Sequence, residues 1–186
     1  MLKSTIRKRE YQAIYRLLDR VSPIEGDCGM LCGCSCCVTE GEEEMGIYLL
    51  PGEDKLHSRH DDWLTWTDER AEDYEFPESW KGVVHFVRCK EPPHCPREKR
   101  PIQCRTFPLV PHLDEDDELT LVYNDMELPY ACPLIEEEIP LTERFVQATY
   151  TAWSHLIRDP LIYDLVKMDS RAREDSLREL AEKLGF

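Results

Sequence analysis

Long apolar runs are missing from this chain, and none approaches the roughly 20 residues that a membrane-spanning helix needs. Positive charge is scarce too: 23 Lys and Arg against 38 Asp and Glu leave a formal net charge of -15. That balance argues against nucleic-acid or anionic-membrane partners, because phosphate contacts need a basic face. The start, MLKSTIRKREYQAIYRLL, is basic but lacks the apolar core and small-residue cleavage site of an export signal. Glycine is limited to eight residues with no Gly-x-Gly loop, so nothing supports an S-adenosylmethionine site of the usual kind. Neither a Ser-His-Asp arrangement nor a His-Glu-x-x-His motif is present. The six histidines (57, 60, 85, 94, 112 and 155) show no paired ligand spacing; His94 draws notice only because Cys95 follows it. No internal repeat occurs, and the short acidic runs, including Glu136 to Glu138, read as solvated faces rather than calcium loops.

What remains is 186 residues, 41% hydrophobic and 33% charged, enough for one soluble domain (1–186) with a modest core. Cysteine is the feature in excess. There are nine, and five of them (Cys28, Cys32, Cys34, Cys36, Cys37) lie within ten residues. Cys89, Cys95, Cys104 and Cys132 follow. An odd count without an export signal disfavours a disulfide scaffold and points to a cytoplasmic protein with reduced thiols. A lone cysteine is most simply a small buried hydrophobe. Five in ten residues are not, and they point to metal.

The hydrophobic pattern predicts an α+β fold. It combines a small irregular metal-stapled core (26–133), a few short antiparallel strands, an N-terminal helix and a C-terminal helical segment (142–185). Ile6, Ile14, Leu17, Leu18 and Val21 recur at helical spacing over 4–21, with Ser4 as cap and Ser22-Pro23 as stop. The loop DCGMLCGCSCC follows, its glycines letting the backbone bend around a centre. Beyond a Glu-rich link (Glu42 to Glu44), GIYLL reads as a strand and 53–66 as a helix carrying Leu56, Trp63, Leu64 and Trp66. GVVHFVR (82–88) reads as a buried strand. The stretch from Cys89 to Pro111 has six prolines and three cysteines, which predicts an irregular loop without regular helix. FPLVPHL and LTLVY flank the acidic turn Asp114 to Glu118 as a hairpin. Residues 142–158 form a helix with Phe145, Thr149, Ala152, Trp153, Leu156 and Ile157 on one face. A short segment from Leu161 to Met168 precedes a last helix that begins at Asp169 and is capped by Gly185. Trp63, Trp66, Trp80 and Trp153 read as core anchors.

Thiolate metal sites use four sulfurs, usually from knuckles far apart in sequence. The first knuckle here is C-x3-C-x-C-x-C-C, the second is Cys89-x5-Cys95-x8-Cys104, and Cys132 stands alone. This is not the paired CxxC of a zinc ribbon. The loop of radical S-adenosylmethionine enzymes, C-x3-C-x2-C, would need cysteine where Ser35 stands. In extended backbone, Cys36 and Cys37 would point to opposite sides, one to a metal centre and the other to a second centre or the core. Eight or nine thiols suffice for one cluster with spares or for two four-cysteine sites. Between Arg88 and Arg105 six basic and two acidic residues make a local charge of +4, which would stabilise thiolate ligands. A basic surface loop is the plainer explanation of that charge. All-cysteine ligation suits zinc and iron–sulfur clusters alike, and the proline after Cys95 and Cys132 is a feature of ferredoxin ligand runs.

Cys28 to Cys37, Cys95 and the run RPIQCRTFP (Arg100 to Pro108) resemble the YkgJ-like cysteine-cluster family, a zinc- or iron-chelating domain. In that family a CxxCxxCC-type knuckle precedes later cysteines, Arg-Pro-x-x-Cys-Arg-x-Phe-Pro and a final cysteine. Arg100, Pro101, Cys104, Arg105, Phe107 and Pro108 match, and LLPGE (Leu49 to Glu53) is similar to the segment after the first knuckle. The first knuckle departs in spacing, so either Cys32 or Cys34 fills the family's second position. The likeness covers roughly 26–133 and is defined largely by its cysteines. Flagellin lysine methylases carry a similar motif, where it is taken to hold an iron–sulfur cluster.

The expectation is a metal-binding protein with a structural or redox-active centre, either an iron–sulfur cluster of the [4Fe–4S] kind or zinc. Cys28, Cys32, Cys36, Cys37, Cys89, Cys95, Cys104 and Cys132 are the candidate ligands, with Arg100 and Arg105 as supporting cations. The alternative is a cluster-containing protein-modifying enzyme or its partner. A third reading is an interaction module whose acidic surface and C-terminal helices dock a basic protein.

Overall fold

A computed structural model describes residues 3–37, 45–90, 95–125 and 128–185. The Glu42 to Glu44 link and His94 lie outside the described residues. The fold is α+β, with helices and two small antiparallel sheets among the described residues.

Helix α1 (Lys8–Leu18) buries Tyr11, Ile14, Tyr15 and Leu18 along one stripe. It starts later than the pattern predicts: Arg7 is the cap position, and Glu10 accepts the Arg7 backbone N–H. Ser4 is no cap; its hydroxyl donates to Asp159 instead, at 2.9 Å. Helix α2 (Gly29–Cys32) is a single turn inside the cysteine knuckle.

Strand β1 (Ile47–Tyr48) is shorter than the apolar run GIYLL. The predicted helix over 53–66 does not form. Only a tight helical turn (Glu53–Leu56) follows Pro51-Gly52, and β2 (Leu64–Arg70) begins near the end of the predicted helix. Trp66 and the threonines on either side of it favour a pleated backbone, and all seven residues of β2 find partners in β3 (Val83–Cys89). Strand β3 is the centre of an antiparallel sheet ordered β1-β3-β2, with Leu64 opposite Cys89 and Tyr48 opposite Phe86. That ladder sets Cys89 at the end of a rigid strand.

The proline-rich stretch is not wholly irregular. After Pro101, Ile102–Thr106 form α3, since proline just outside a helix removes no needed N–H. Strands β4 (Leu109–Leu113) and β5 (Leu119–Tyr123) form the predicted hairpin. Helix α4 (Pro133–Glu136), a turn that the hydrophobic pattern does not announce, starts directly after Cys132, and Glu136 to Glu138 are exposed as expected.

Helix α5 (Glu143–Leu156) buries Phe145, Ala148, Thr149, Ala152, Trp153 and Leu156. Thr142 caps it, accepting from the Phe145 N–H. The final segment is one helix rather than two. Helix α6 (Pro160–Leu184) runs unbroken through Asp169 to the left-handed Gly185, because neither proline nor glycine interrupts it. Buried Asp159 caps its start, accepting from Leu161 and Ile162 N–H as well as from Ser4 and Thr5.

The main core joins α1, α5 and the first half of α6 through Tyr11, Ile14, Leu18, Ala152, Trp153, Leu156, Ile162 and Val166. Trp80 is buried in a smaller cluster with Ala71 and Val84, while Trp63 and Trp66 pack only partly buried beside Leu49, Leu64 and Val87. No helix among the described residues is long and apolar enough to cross a membrane.

Candidate metal centre

Four separate pieces of chain supply the cysteines. The knuckle gives Cys28, Cys32, Cys34, Cys36 and Cys37; the end of β3 gives Cys89; the following segment and α3 give Cys95 and Cys104; the residue before α4 gives Cys132. All nine are free thiols. Cys132 is buried, Cys104 is exposed, and the rest are half-buried.

Local backbone explains how the knuckle folds back on itself. Gly26, Gly33 and Cys34 hold positive φ, the last at 62° without the freedom of glycine. Gly29 is required by a close approach: a Cβ there would lie 2.5 Å from the Cys34 sulfur. Ser35 donates to the Ala131 carbonyl at 3.1 Å, which fastens the knuckle beside Cys132. The segment 33–37 is turn rather than extended backbone, so Cys36 and Cys37 do not alternate sides, and their sulfurs lie 3.9 Å apart. Cys89 and Cys95 form the second thiol–thiol hydrogen bond.

The second half of the site is positioned by buried polar groups. Glu53 is fully buried, and its carboxyl accepts from Tyr15 Oη at 2.6 Å, Ile102 N at 2.8 Å and Leu50 N at 3.0 Å. The Ile102 N–H is the first of α3, so this one carboxyl anchors the helix that carries Cys104. Burial raises its pKa, and the three donors and Arg105 pull against that. Beside it, His57 meets Tyr15 Oη at 3.1 Å, and burial lowers its pKa to about 4.

Arg100 and Arg105 have different roles. Arg100 Nε donates to the Cys95 sulfur at 3.0 Å, as a supporting cation should. Arg105 makes its hydrogen bonds to the Arg100 and Tyr15 carbonyls and lies over the Tyr15 ring at 4.5 Å. It braces α1 against α3 rather than contacting sulfur. The two arginines border a small recess shared with Ser22, Cys28, Arg97 and Cys104. Arg97, in sequence only one of six cations in its stretch, reaches across it to the Val21 carbonyl at 3.0 Å.

Thiol acidity reports the crowding. Burial raises Cys28, Cys34 and Cys132, and neighbouring thiols or carboxylates add to each shift. Cys104 is reached by water yet surrounded by protein, as a side chain lining a recess must be. Those surroundings push its thiol up to about 12, with Cys37, Glu53 and Cys95 adding and Arg100 opposing. In each bonded pair one thiol donates to the other. Cys37 is lowered by Cys36, and Cys95 is lowered by Cys89 and then by Arg100.

The donor set suits a thiophilic ion: gathered thiols repel one another as thiolates, and a bound cation relieves that repulsion. Among the described residues no three His, Cys, Asp or Glu side chains meet closely enough to hold an ion. The sulfurs meet in pairs, and closing a shell of four requires them to move together. Compared with family models, curated proteins and solved structures, the chain matches none.

Proposed function

We propose that this protein binds metal through its cysteines, holding zinc or an iron–sulfur cluster. The carrying observation is Arg100 seated on the Cys95 sulfur beside the recess that Cys28 and Cys104 line together, with the Cys36 and Cys37 sulfurs 3.9 Å apart in the knuckle that Ser35 fastens next to Cys132. The ligands would come from Cys28, Cys32, Cys36, Cys37, Cys89, Cys95, Cys104 and Cys132. Zinc would supply a structural crosslink, and a cluster of the [4Fe–4S] kind would add one-electron chemistry. The chain's own part is positioning and charge. Arg100 offsets thiolate charge, Glu53 fixes α3, and Ser35 fastens the knuckle to the Cys132 segment. The likeness to the YkgJ-like family supports the same reading.

The test is anaerobic purification followed by metal and acid-labile sulfide analysis with a visible spectrum. Iron with sulfide and a broad band near ~400 nm identifies a cluster. Zinc without sulfide identifies a structural site. Protein that retains neither, and takes up neither on reconstitution, overturns the proposal.

A further inference from the structure

We infer that the recess between the end of α1 and α3 is a binding site for a phosphate group, held by Arg97, Arg100 and Arg105. The inference does not rest on the metal-binding reading. Cys28 and Cys104 share the wall of the recess, but neither is asked to touch the anion.

The observation that carries it is a buried donor without an acceptor. The Arg105 side chain is only 4% exposed. Its Nε donates to the Arg100 carbonyl at 2.7 Å and its Nη1 to the Tyr15 carbonyl at 3.2 Å, with Asp19 Oδ1 farther off at 3.7 Å. Nη2 is buried and has no partner among the described residues. Bracing α1 against α3 is complete without it, and a buried guanidinium N–H left unpaired is costly. An oxyanion in the recess that Arg105 lines supplies the missing acceptor.

Two more guanidinium groups stand round the same recess. Arg97 uses one donor on the Val21 carbonyl at 3.0 Å and Arg100 one on the Cys95 sulfur at 3.0 Å; each guanidinium has five. Three arginines in one wall run against a chain whose net charge is -15. Asp27 is the carboxylate in that wall, and its Oδ1 accepts the Gly29 N–H at 3.1 Å. A carboxylate matches one guanidinium fork. Three forks call for a tetrahedral group with more oxygens to share, and paired N–H donors suit phosphate.

Size agrees with this class of ligand. The cavity volume is about 40 Å³, above the roughly 10–15 Å³ that one water needs and far below the roughly 300 Å³ of a pocket for a larger molecule. The recess therefore fits the phosphate group itself. Val21, Ser22 and Arg97 also border an open groove lined by Arg20, Glu25, Thr142 and Arg144, where the rest of a phosphate monoester would lie.

The experiment titrates inorganic phosphate into the full-length protein as purified, by calorimetry, with chloride holding the ionic strength constant. Wild type should bind one phosphate per chain saturably. Arg97 is exposed, so Arg97→Gln should fold as wild type does, and it should weaken binding on the order of tenfold. Arg105→Lys keeps the charge, loses the fork and should weaken binding too. Arg178→Gln removes an exposed arginine of α6 instead and should bind as wild type does. Glycerol 3-phosphate separates the two sources of the group: tighter binding than inorganic phosphate assigns the groove to the rest of a monoester, and equal or weaker binding assigns the recess to free phosphate. Wild type without saturable binding overturns the inference. So does binding that both Arg97→Gln and Arg105→Lys leave unchanged, which would mark an adventitious ion only.

Discussion

Around Tyr11, Leu156 and Ile162, all fully buried, packing is apolar and continuous across three helices. Around Cys28 to Cys37 the only helical turn buries Gly29 alone, while Met30 is 85% exposed and Leu31 46%. One region excludes water through area; the other has almost none to exclude. A fully buried large side chain contributes about 1.5–3 kcal/mol through transfer alone, so the helical region has its own source of order. The cysteine region has hydrogen bonds, left-handed turns and thiols that repel one another once ionised, none of which explains why it should close. On the metal-binding proposal, a bound ion would supply to the second region what apolar burial supplies to the first.

The largest way to break this contrast is to damage the helical core. Phe145→Ala should cost about 3–5 kcal/mol in chemical denaturation, and both regions should unfold together, because Glu53 and Tyr15 tie the cysteine-bearing helix α3 to α1. A core variant that unfolds its helices while retaining bound metal would show the regions to be independent.

His57 sharpens the comparison through pH. Its pKa in the folded chain is about 4, below the ordinary 6.5, so unfolding takes up a proton between those values. Stability should therefore fall as pH drops from about 6.5 towards 4, by about 2–3 kcal/mol, and be full above that window. Urea melts at pH 4.5 and 7 should differ less in His57→Gln than in wild type; equal differences would refute the assignment.

Glu53→Gln is a smaller and more local break. It leaves at least one buried donor without its acceptor, for a cost of about 2 kcal/mol. Helix α3 should loosen, with Cys104 alkylated faster than in wild type while Cys132 is unaffected.

Smallest is Arg100→Ala. Removing the guanidinium at 3.0 Å should raise the Cys95 thiol and slow its alkylation at pH 7 by about threefold to tenfold in metal-free protein, with little change in the melt. Unchanged reactivity would mean that Cys89 alone sets the acidity of Cys95.

The helical region is more legible in the sequence than the cysteine region, for the same physical reason. Over α5 the apolar period and the burial of Phe145 and Trp153 agree, since one packed face dictates both. The β4–β5 hairpin is equally legible. Where no face is packed, pattern fails: Leu56, Trp63, Leu64 and Trp66 suggest helical spacing, yet pairing with β3 turns their second half into strand. The division expected at Asp169 is absent because α6 continues past the core, leaving Leu177, Leu180 and Leu184 exposed. Cysteine spacing marks out the candidate ligands. It is silent on Glu53, whose role depends on Ile102, 49 positions away.

Hydrogen exchange of the metal-loaded protein, repeated after anaerobic chelation, tests the central claim most directly. Amides of 26–37 and 95–106 should lose protection on metal removal, while α1, α5 and the first half of α6 keep theirs. Protection that is unchanged everywhere, or lost equally in the helices, would contradict the claim that metal orders the cysteine region.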